Sequence, residues 1–415
     1  MASHGAPRTN RAAPTEERRK QDLEKITKYR ELEDSIRAQA STSNYDSNLF
    51  QLTSKLLRLN PEYYTIWNVR RRCLISGLLS APSGGSSPSK ASPNTSRNDT
   101  TNPSLDSSLP SSSDAIPPDR DSRIAGKSGT TVESSSHIQQ QEIEKNHVEA
   151  DVNVLQSELA FTIPLLLEFP KCYWIWKYRK WLLEQATARL PVSAARKIWE
   201  TELALASKML GKDRRNFHAW GYRRYVVDAL ESSSLDGKSM VEEEFAYTEK
   251  MIRGDLSNFS AWHNRSQLIL RLLDERNADD AARKAFLEKE FELVREALNV
   301  GPEDQSLWYY HQYIMSQIVS DVGKPTIAPA LTIGERVAYV REEIDNIKDL
   351  LEDYDDIKWI YEALLVYTIA LKGLVGQQGG DDPNQWLAKV RKLDPMRAGR
   401  WDDIEKQLGK NQIGD

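Results

Sequence analysis

The sequence of 415 residues lacks several features that would mark a membrane protein or a disulfide-bonded secreted domain. It has two cysteines, Cys73 and Cys172, too few for a disulfide framework or a cysteine-rich zinc cluster, and this favours a reduced intracellular setting. No apolar run approaches the roughly 18 residues that a membrane-spanning helix needs. The N-terminus also lacks the hydrophobic stretch of a secretory signal. We therefore expect a cytoplasmic protein with no membrane span.

Excess positive charge and recognisable catalytic motifs are also missing. The net charge is −5 and the pI about 5.9, which argues against general nucleic-acid binding or a polybasic membrane patch. The six histidines show no spacing typical of a zinc site. The sequence has no phosphate-binding glycine loop and no Gly-x-Ser-x-Gly elbow. The residues alone indicate an intracellular helical scaffold with a concave binding face.

What the chain does contain is a tryptophan-centred repeat. The stretch DRRNFHAWGYRRYVV, residues 213–227, returns around other tryptophans, and from Trp176 onward the spacing is 42 to 51 residues. A period of this size is typical of repeat proteins whose units cannot bury a core alone. The core tryptophans are Trp67, Trp176, Trp220, Trp262 and Trp308, and weaker copies surround Trp359 and Trp401.

Three further positions recur relative to each tryptophan. In four copies an aromatic residue precedes the tryptophan by three and an arginine follows it by three, and in all seven copies an apolar residue follows it by seven. Because these offsets share one helical face, we predict that the aromatic and apolar residues belong to the core with the tryptophan. For the arginine we favour a structural partner, such as a carboxylate or a helix C-terminus, over a ligand. The aromatic residues are Tyr64, Tyr173, Phe217 and Phe259, and the arginines are Arg70, Arg179, Arg223 and Arg265, with His311 in the fifth copy.

Turn-forming residues precede each tryptophan, and an apolar run lies upstream of each turn, so every unit reads as helix, short loop, helix. The predicted fold is all-α, an α-solenoid of antiparallel helical hairpins. We divide the chain into a flexible tail (1–14), an amphipathic helix with the first repeat (15–79), an insertion (80–136) and the remaining repeats (137–410). The insertion is rich in serine and proline, so we expect it to be disordered. Regular helix should resume near Gln139.

The motif of a Pro or Asp turn, aromatic-x-x-Trp-x-x-Arg and a later aliphatic residue resembles the signature of protein prenyltransferase α subunits. The resemblance covers residues 45–74 and 139–408, and the insertion departs from the family's compact pattern. It implies a crescent superhelix wrapped around a β subunit, which would hold the catalytic zinc and most of the isoprenoid pocket. The N-terminal charged helix, EDQSLWYYHQYIM and KLDPMRAGRWDDIEKQL are similar to the Rab geranylgeranyltransferase branch.

The resemblance also implies site residues. The family's Pro-Lys-x-Tyr-x-x-Trp motif is matched here with Lys171 and Tyr173, and its Asn-aromatic-His-x-Trp motif with Asn216 and His218. The family's lysine approaches the isoprenoid diphosphate, whose negative charge grows as it departs. We therefore expect Lys171 to be catalytic, His218 to support it, and Lys171, Tyr173 and Asn216 to bind substrate. The simpler alternatives are a solvated lysine and a histidine that faces water.

The function implied is the α subunit of a heterodimer that transfers geranylgeranyl from geranylgeranyl diphosphate to C-terminal cysteines of Rab GTPases, which an escort protein presents. Zinc would belong to the β subunit, and the α chain alone would be inactive. One alternative is the farnesyltransferase/geranylgeranyltransferase-I α subunit, which acts on CaaX proteins. The other is a non-enzymatic scaffold. His4 could reach the partner's zinc as a blocking ligand, although a non-interacting tail is the simpler interpretation.

Overall fold

The computed structural model describes residues 15–80, 132–319, 325–375 and 381–413. Within these ranges the secondary structure is helical and no strand occurs, so the all-α helical repeat architecture is confirmed. The fifteen α-helices are α1 (Glu16–Ser41), α2 (Ser47–Leu59), α3 (Tyr64–Cys73), α4 (Val132–Glu168), α5 (Tyr173–Arg189), α6 (Val192–Lys212), α7 (Phe217–Glu231), α8 (Val241–Gly254), α9 (Phe259–Glu275), α10 (Asp280–Val300), α11 (Gln305–Val319), α12 (Ile333–Asp349), α13 (Lys358–Val375), α14 (Pro383–Leu393) and α15 (Ala398–Ile413).

After α1, the helices follow one another as seven pairs joined by short turns, from α2–α3 to α14–α15. The helix predicted from Gln139 begins seven residues earlier, at Val132, because a formed helix extends through polar residues at little cost. The predicted tail (1–14), with His4, and most of the predicted insertion (80–136) lie outside the described residues. Cys73 and Cys172 are buried and are not joined in a disulfide, and burial raises the pKa of the Cys73 thiol to about 11.

The described chain separates into two compact units, Met1–Pro164 with Trp181–Ala194, and Leu165–Lys180 with Ala195–Asp415. In the first unit, α1 packs on the first hairpin. Asn60 donates to the Tyr29 hydroxyl at 3.1 Å, and the Tyr63 hydroxyl donates to Glu33 at 2.7 Å. Ile36 is the buried apolar residue of α1. The predicted amphipathic helix therefore docks on the first repeat through its C-terminal half.

In each of the first five hairpins, a tryptophan attaches the turn to the second helix. Each of the five core tryptophans is the fourth residue of the second helix of its pair, and each is buried. Its indole Nε1–H donates to the backbone carbonyl six residues earlier, in the turn, at 2.6 to 3.0 Å. A buried indole needs such an acceptor, and here the acceptor locks the turn onto the helix. The core assignment of the tryptophans is confirmed.

The sixth copy follows a different alignment from the one predicted. The fourth residue of α13 is Tyr361, not Trp359, and the Tyr361 hydroxyl donates to the Asp355 carbonyl, six residues earlier, at 2.9 Å. Tyr361 thus takes the place of the repeat tryptophan. Trp359 lies at the edge of the core, against the Tyr309 ring at 6.1 Å. The prediction followed the tryptophan itself, whereas the turn at 355–357 sets the alignment.

The prediction that the aromatic residues three positions before the tryptophans are buried is wrong. Tyr64, Tyr173, Phe217 and Phe259 are 49% to 65% exposed. Each is the first residue of its helix, so it shares the angular position of the core stripe but lies one turn beyond the packed part of the hairpin. The apolar residues seven positions after Trp67, Trp176, Trp220, Trp262 and Trp308 are buried as predicted: Leu74, Leu183, Val227, Ile269 and Met315.

Candidate functional site

The recurring arginine joins one hairpin to the next. Arg70, Arg179, Arg223 and Arg265 are buried, and each binds through Nε and a terminal nitrogen both carboxylate oxygens of a glutamate on the first helix of the following hairpin. The ion-pair distances are 2.5 to 2.6 Å, in the pairs Arg70–Glu158, Arg179–Glu202, Arg223–Glu244 and Arg265–Glu290. Such two-pronged contacts are the strong form of the Arg–carboxylate interaction. The prediction of a structural carboxylate partner is confirmed.

Tyrosines complete two of these buried pairs. The Tyr222 hydroxyl donates to Glu202 at 2.6 Å, and the Tyr310 hydroxyl donates to Glu290 at 2.5 Å. Burial, together with the adjacent carboxylate, raises the pKa of each phenol well above its ordinary value, so the proton stays on the tyrosine. The carboxylates are consequently occupied by fixed donors. These residues hold the fold and leave no free group for catalysis.

The fifth joint has a histidine in place of arginine. The His311 Nε2 lies 2.7 Å from Glu343 on α12, and its Nδ1 lies 2.8 Å from the Tyr367 hydroxyl on α13. His311 and Glu343 are fully buried, and Arg295 also donates to Glu343, from Nε at 2.7 Å. Burial acts to raise the pKa of Glu343, yet His311 and Arg295 hold it below 4.5. The site therefore keeps an ionised carboxylate between two donors.

The residues predicted to act on substrate meet at the start of α5 and α7, within the second unit. Lys171 lies in the turn before α5, is exposed over 72% of its side chain, and its Nζ is 3.9 Å from Asp213. The Tyr173 ring is 6.4 Å from the His218 ring, measured between centroids. The Tyr173 and His218 rings thus approach each other across the starts of the two helices, and the Lys171 ammonium in the preceding turn faces solvent. It can attract an anion, and its weak, exposed contact with Asp213 is easily exchanged.

Asn216 positions this group. It is 2% exposed, its Oδ1 accepts hydrogen bonds from the backbone N–H groups of His218 and Ala219, and its Nδ2 donates to the Pro170 carbonyl at 3.1 Å. It therefore caps α7 and ties that cap to the turn that carries Lys171. Asn258 repeats the arrangement one hairpin later, bonding the Arg214 carbonyl. The predicted contact between Asn216 and substrate stays a prediction, and its visible task is to fix the Lys171 turn.

Lys177 is a further candidate that the sequence reasoning missed. Its Nζ lies 5.9 Å from the Tyr173 ring and 5.7 Å from the Trp174 ring, one helical turn beyond Tyr173, and its side chain is exposed. Cations at this distance from aromatic faces are attracted by the ring electrons. The only signal in the sequence was a second lysine in the KCYWIWK stretch. It adds positive charge to the same surface.

Exposed aromatic residues extend from this group along the second helices. Phe259 contacts the Tyr309 ring at 6.1 Å and lies stacked on His263 at 6.0 Å. A groove of about 350 Å³ runs between α9 and α11, lined by Phe259, His263, Gln267, Tyr309 and Tyr313 among others. We call the exposed side of α5, α7, α9 and α11 that carries Tyr173, Phe217, Phe259 and Tyr309 the aromatic face. A recurring exposed aromatic row is typical of a surface that contacts another molecule.

Neither a metal site nor a membrane span is found where the structure describes the chain. No group of three or more His, Cys, Asp or Glu side chains converges there as a metal site would require. Among the described helices, none is both long and apolar enough to cross a bilayer.

The chain is similar to known proteins along most of its length. Residues 46–76, 155–186, 199–230, 241–272 and 287–318 match the protein prenyltransferase alpha subunit repeat. These segments correspond to the first five hairpins, whereas the sixth and seventh, where the repeat diverges, lie outside them.

Three relatives carry the name geranylgeranyl transferase type-2 subunit alpha. The chain is 28% identical to that of Saccharomyces cerevisiae over 93% of both chains, and 29% identical to that of Dictyostelium discoideum over 94% of both. It is 30% identical to that of Schizosaccharomyces pombe over 51% of this chain, a match that spans 62% of the fission-yeast protein.

Proposed function

The chain belongs to the protein prenyltransferase α-subunit family, and from this premise we propose that it is the α subunit of a heterodimeric Rab geranylgeranyltransferase. The observation that carries the proposal is similarity along more than nine tenths of the chain to α subunits with the type-2 name. The enzyme would transfer geranylgeranyl from geranylgeranyl diphosphate to C-terminal cysteines of Rab GTPases. An escort protein would present these substrates, in the cytoplasm.

In this reaction a thiolate sulfur forms a bond to C1 of the isoprenoid, and the bond from C1 to the diphosphate oxygen breaks. The diphosphate gains negative charge as it leaves, so a cation that is closer to the charge in the transition state than in the ground state accelerates the step. Lys171 is suited to this role because its ammonium is exposed and bound only loosely to Asp213. The rings of His218 and Tyr173 approach each other at the starts of α7 and α5, and they would shape the approach of the diphosphate. Lys177 would reinforce the positive charge.

We assign zinc to the β subunit, as the family resemblance implies. Zinc held there would lower the pKa of the substrate cysteine thiol and so favour the thiolate. The described residues of this chain do not offer a set of metal ligands, so no step of the reaction is placed on a metal held here. The α chain then contributes the diphosphate-facing cation, the hairpin scaffold and the aromatic face, which would contact the β subunit. We expect the α chain alone to transfer no geranylgeranyl.

The experiment that tests this function compares three preparations: the α chain alone, the β subunit alone, and the co-expressed heterodimer. Each is given geranylgeranyl diphosphate with either an escort-bound Rab or a CaaX peptide. We expect transfer only by the heterodimer and only to escort-bound Rab. Transfer to the CaaX peptide in preference to Rab would support the farnesyltransferase/geranylgeranyltransferase-I branch instead. Failure of the α chain to associate with any prenyltransferase β subunit would contradict both enzyme assignments and support the non-enzymatic scaffold.

A further inference from the structure

Tyrosines that follow a core tryptophan by two positions complete the buried joints of the third and fifth hairpins. The Tyr222 hydroxyl donates to Glu202, which lies 20 residues earlier on the first helix of the same hairpin. The Tyr310 hydroxyl donates to Glu290 over the same separation. Each glutamate thus has two kinds of donor, an arginine from the preceding hairpin and a tyrosine from its own. Tyr178 occupies the corresponding position of the second hairpin and is also buried.

The first hairpin indicates that the tyrosine accompanies the glutamate. It has Val69 at the corresponding position, and its first helix, Ser47–Leu59, contains no glutamate. Where there is no buried carboxylate to bind, an apolar residue takes the place of the tyrosine. Among the five hairpins that match the family repeat, the fourth is the one that has the glutamate without the tyrosine.

The fourth hairpin has Asn264 where Tyr222 and Tyr310 lie in its neighbours. Its Glu244 binds Arg223 through both oxygens, and within the described residues no other side chain donates to it. The Asn264 side chain is only 3% exposed, yet its amide nitrogen has no hydrogen-bond partner in the described part of the chain. Native structures rarely keep a buried amide in this state, and a carboxylate accepts more than two hydrogen bonds. This joint therefore has a donor and an acceptor to offer.

A groove of about 370 Å³ lies between α7 and α9, and both Glu244 and Asn264 line it. Val227 and Leu268 give it apolar wall, and Tyr225 lines it with an aromatic side chain. Asparagine is much shorter than tyrosine, so this joint has space that a phenol ring fills in the third and fifth hairpins. Apolar walls around a few polar groups are typical of a site that binds an aromatic group.

The charges around the groove favour a neutral occupant. Opposite charges occur in equal number, in the ion pairs Glu231–Arg271 and Glu244–Arg223 and in the exposed rim residues Arg224 and Asp228. An entering carboxylate would meet the Glu244 carboxylate, and an ammonium has no lone pair with which to accept from the Asn264 amide. A hydroxyl does both, since it donates one hydrogen bond and accepts others.

The ring has to come from another molecule. All 16 tyrosines of the sequence lie within the described ranges, so the segments outside those ranges contain none. Tyr225, which lines the groove, is already part of its wall. Arg224 and Gln267 at the rim are exposed, so a side chain can enter from solvent while the backbone that carries it stays outside.

We propose that this groove binds a tyrosine side chain of another protein, whose hydroxyl donates to Glu244 and accepts from the Asn264 amide. The partner's ring takes the place that Tyr222 and Tyr310 take in the neighbouring hairpins. The proposal goes beyond the proposed function and does not depend on it, because the groups that recognise the ring lie within this chain. Its test therefore uses the full-length chain without a β subunit.

The test measures binding of N-acetyltyrosinamide and N-acetylphenylalaninamide by equilibrium dialysis. The two probes differ by the hydroxyl alone, so we expect the tyrosine probe to bind at least about tenfold more tightly. N-acetyl-O-phosphotyrosinamide should not bind, because its phosphate would meet Glu244. Equal binding of the first two probes, or no saturable binding of the tyrosine probe, would overturn the proposal. Binding of 4-methylphenol without binding of N-acetyltyrosinamide would indicate a free phenol and would overturn the assignment to a protein side chain.

Variants at Asn264 locate the bound probe. Asn264→Tyr fills the groove from within, so we expect it to abolish binding of N-acetyltyrosinamide and to raise the thermal midpoint by about 1 to 3 °C, because Glu244 gains its second donor. Lys197→Tyr adds the same residue at an exposed position of α6 outside the groove and should bind the probe like wild type. Asn264→Leu removes the amide and keeps the groove open, so it should weaken binding several-fold, and it decides the question if Asn264→Tyr does not fold. Wild-type affinity in both Asn264 variants would contradict the proposal.

Discussion

The first five joints between consecutive hairpins are of two kinds, which differ in the side chain that meets the buried glutamate. The first four joints use an arginine, whose charge is permanent, in a two-pronged contact with a buried glutamate. The fifth joint uses His311, which bonds Glu343 and the Tyr367 hydroxyl. Each ring nitrogen of His311 therefore has one partner, whereas each arginine meets both carboxylate oxygens. The four arginines belong to the first four hairpins that match the family repeat, and His311 belongs to the fifth.

Beyond the fifth joint, the acidic and the basic residues of the pair exchange hairpins. Glu362 of α13 is buried, and it accepts a hydrogen bond from Arg400 of α15 at 2.6 Å and lies 3.7 Å from Arg397. The carboxylate now belongs to the earlier hairpin and the arginines to the later one. The difference teaches that each joint has a buried glutamate that meets a nitrogen-bearing side chain, while the partner residue and its burial vary. The predictions below test how much each kind of joint contributes.

The largest effect is expected where an arginine is left without its glutamate. Glu290→Gln leaves Arg265 buried and unpaired, so we expect it to lower the free energy of unfolding by roughly 3 to 5 kcal/mol. Removing both charges, in Arg265→Met with Glu290→Leu, should cost less than the single change. Hydrogen exchange of α9 and α10 and thermal unfolding measure both variants. If the single change costs no more than the double one, the arginine does not depend on its glutamate.

At the histidine joint we expect a smaller loss, about 1 to 3 kcal/mol for His311→Gln, because Arg295 still pairs with Glu343. The variant should also change the response to acid. The pKa of Glu343 is lowered in the fold, so its contribution is complete above pH 4.5 and is lost as the pH falls below 4.5. With His311 gone, the pKa of Glu343 should be lowered less, so the stability lost on acidification should be smaller and the loss should be complete at a higher pH. Thermal unfolding between pH 3 and pH 7 measures it, and identical curves for wild type and variant would contradict the assignment.

The assignment of Tyr361 as the sixth repeat's core residue predicts a still smaller effect. Tyr361→Phe removes one hydrogen bond to the Asp355 carbonyl, so we expect a loss of about 1 kcal/mol. Trp359→Phe keeps an aromatic ring at the core edge and should cost less. Thermal unfolding of the two variants compares them directly. A larger loss of stability from Trp359→Phe would show that Trp359, and not Tyr361, is the core residue of the sixth repeat.

The smallest effect on stability is expected on the aromatic face. Phe259→Ser changes an exposed side chain, so the unfolding free energy should shift by less than about 0.5 kcal/mol, although binding of the β subunit should weaken. Met396→Ser, at a residue 93% exposed and away from this face, is the matched control and should change neither. Melting curves and subunit titration measure the two properties. A large loss of stability from Phe259→Ser would show that the Phe259 side chain contributes to the core.

Much of this arrangement follows from spacing in the sequence. The tryptophans, the apolar residues seven positions later and the paired arginines could be predicted because recurrence on one helical face implies a shared environment. The same argument failed for Tyr64, Tyr173, Phe217 and Phe259, since angle on a helix does not report distance along its axis. It also failed at Trp359, where the turn and not the residue type sets the alignment.

The candidate site was less accessible to sequence reasoning. Lys171, Tyr173, Asn216 and His218 came from resemblance to a family motif, and nothing in their spacing showed that the starts of α5 and α7 meet. The hydrogen bond from Asn216 to the Pro170 carbonyl, which joins the two turns, spans 46 residues of chain.

The most direct test of the central claim is geranylgeranyl transfer to escort-bound Rab by heterodimers that carry Lys171→Ala or Lys197→Ala, each beside wild type. We expect Lys171→Ala to assemble normally and to lower kcat by roughly 10- to 100-fold, because the leaving diphosphate loses a cation. Lys197 is an exposed residue of α6, and the kcat of the Lys197→Ala heterodimer should match wild type. Unchanged kcat in an intact Lys171→Ala heterodimer would contradict the assignment of Lys171 to the departing diphosphate.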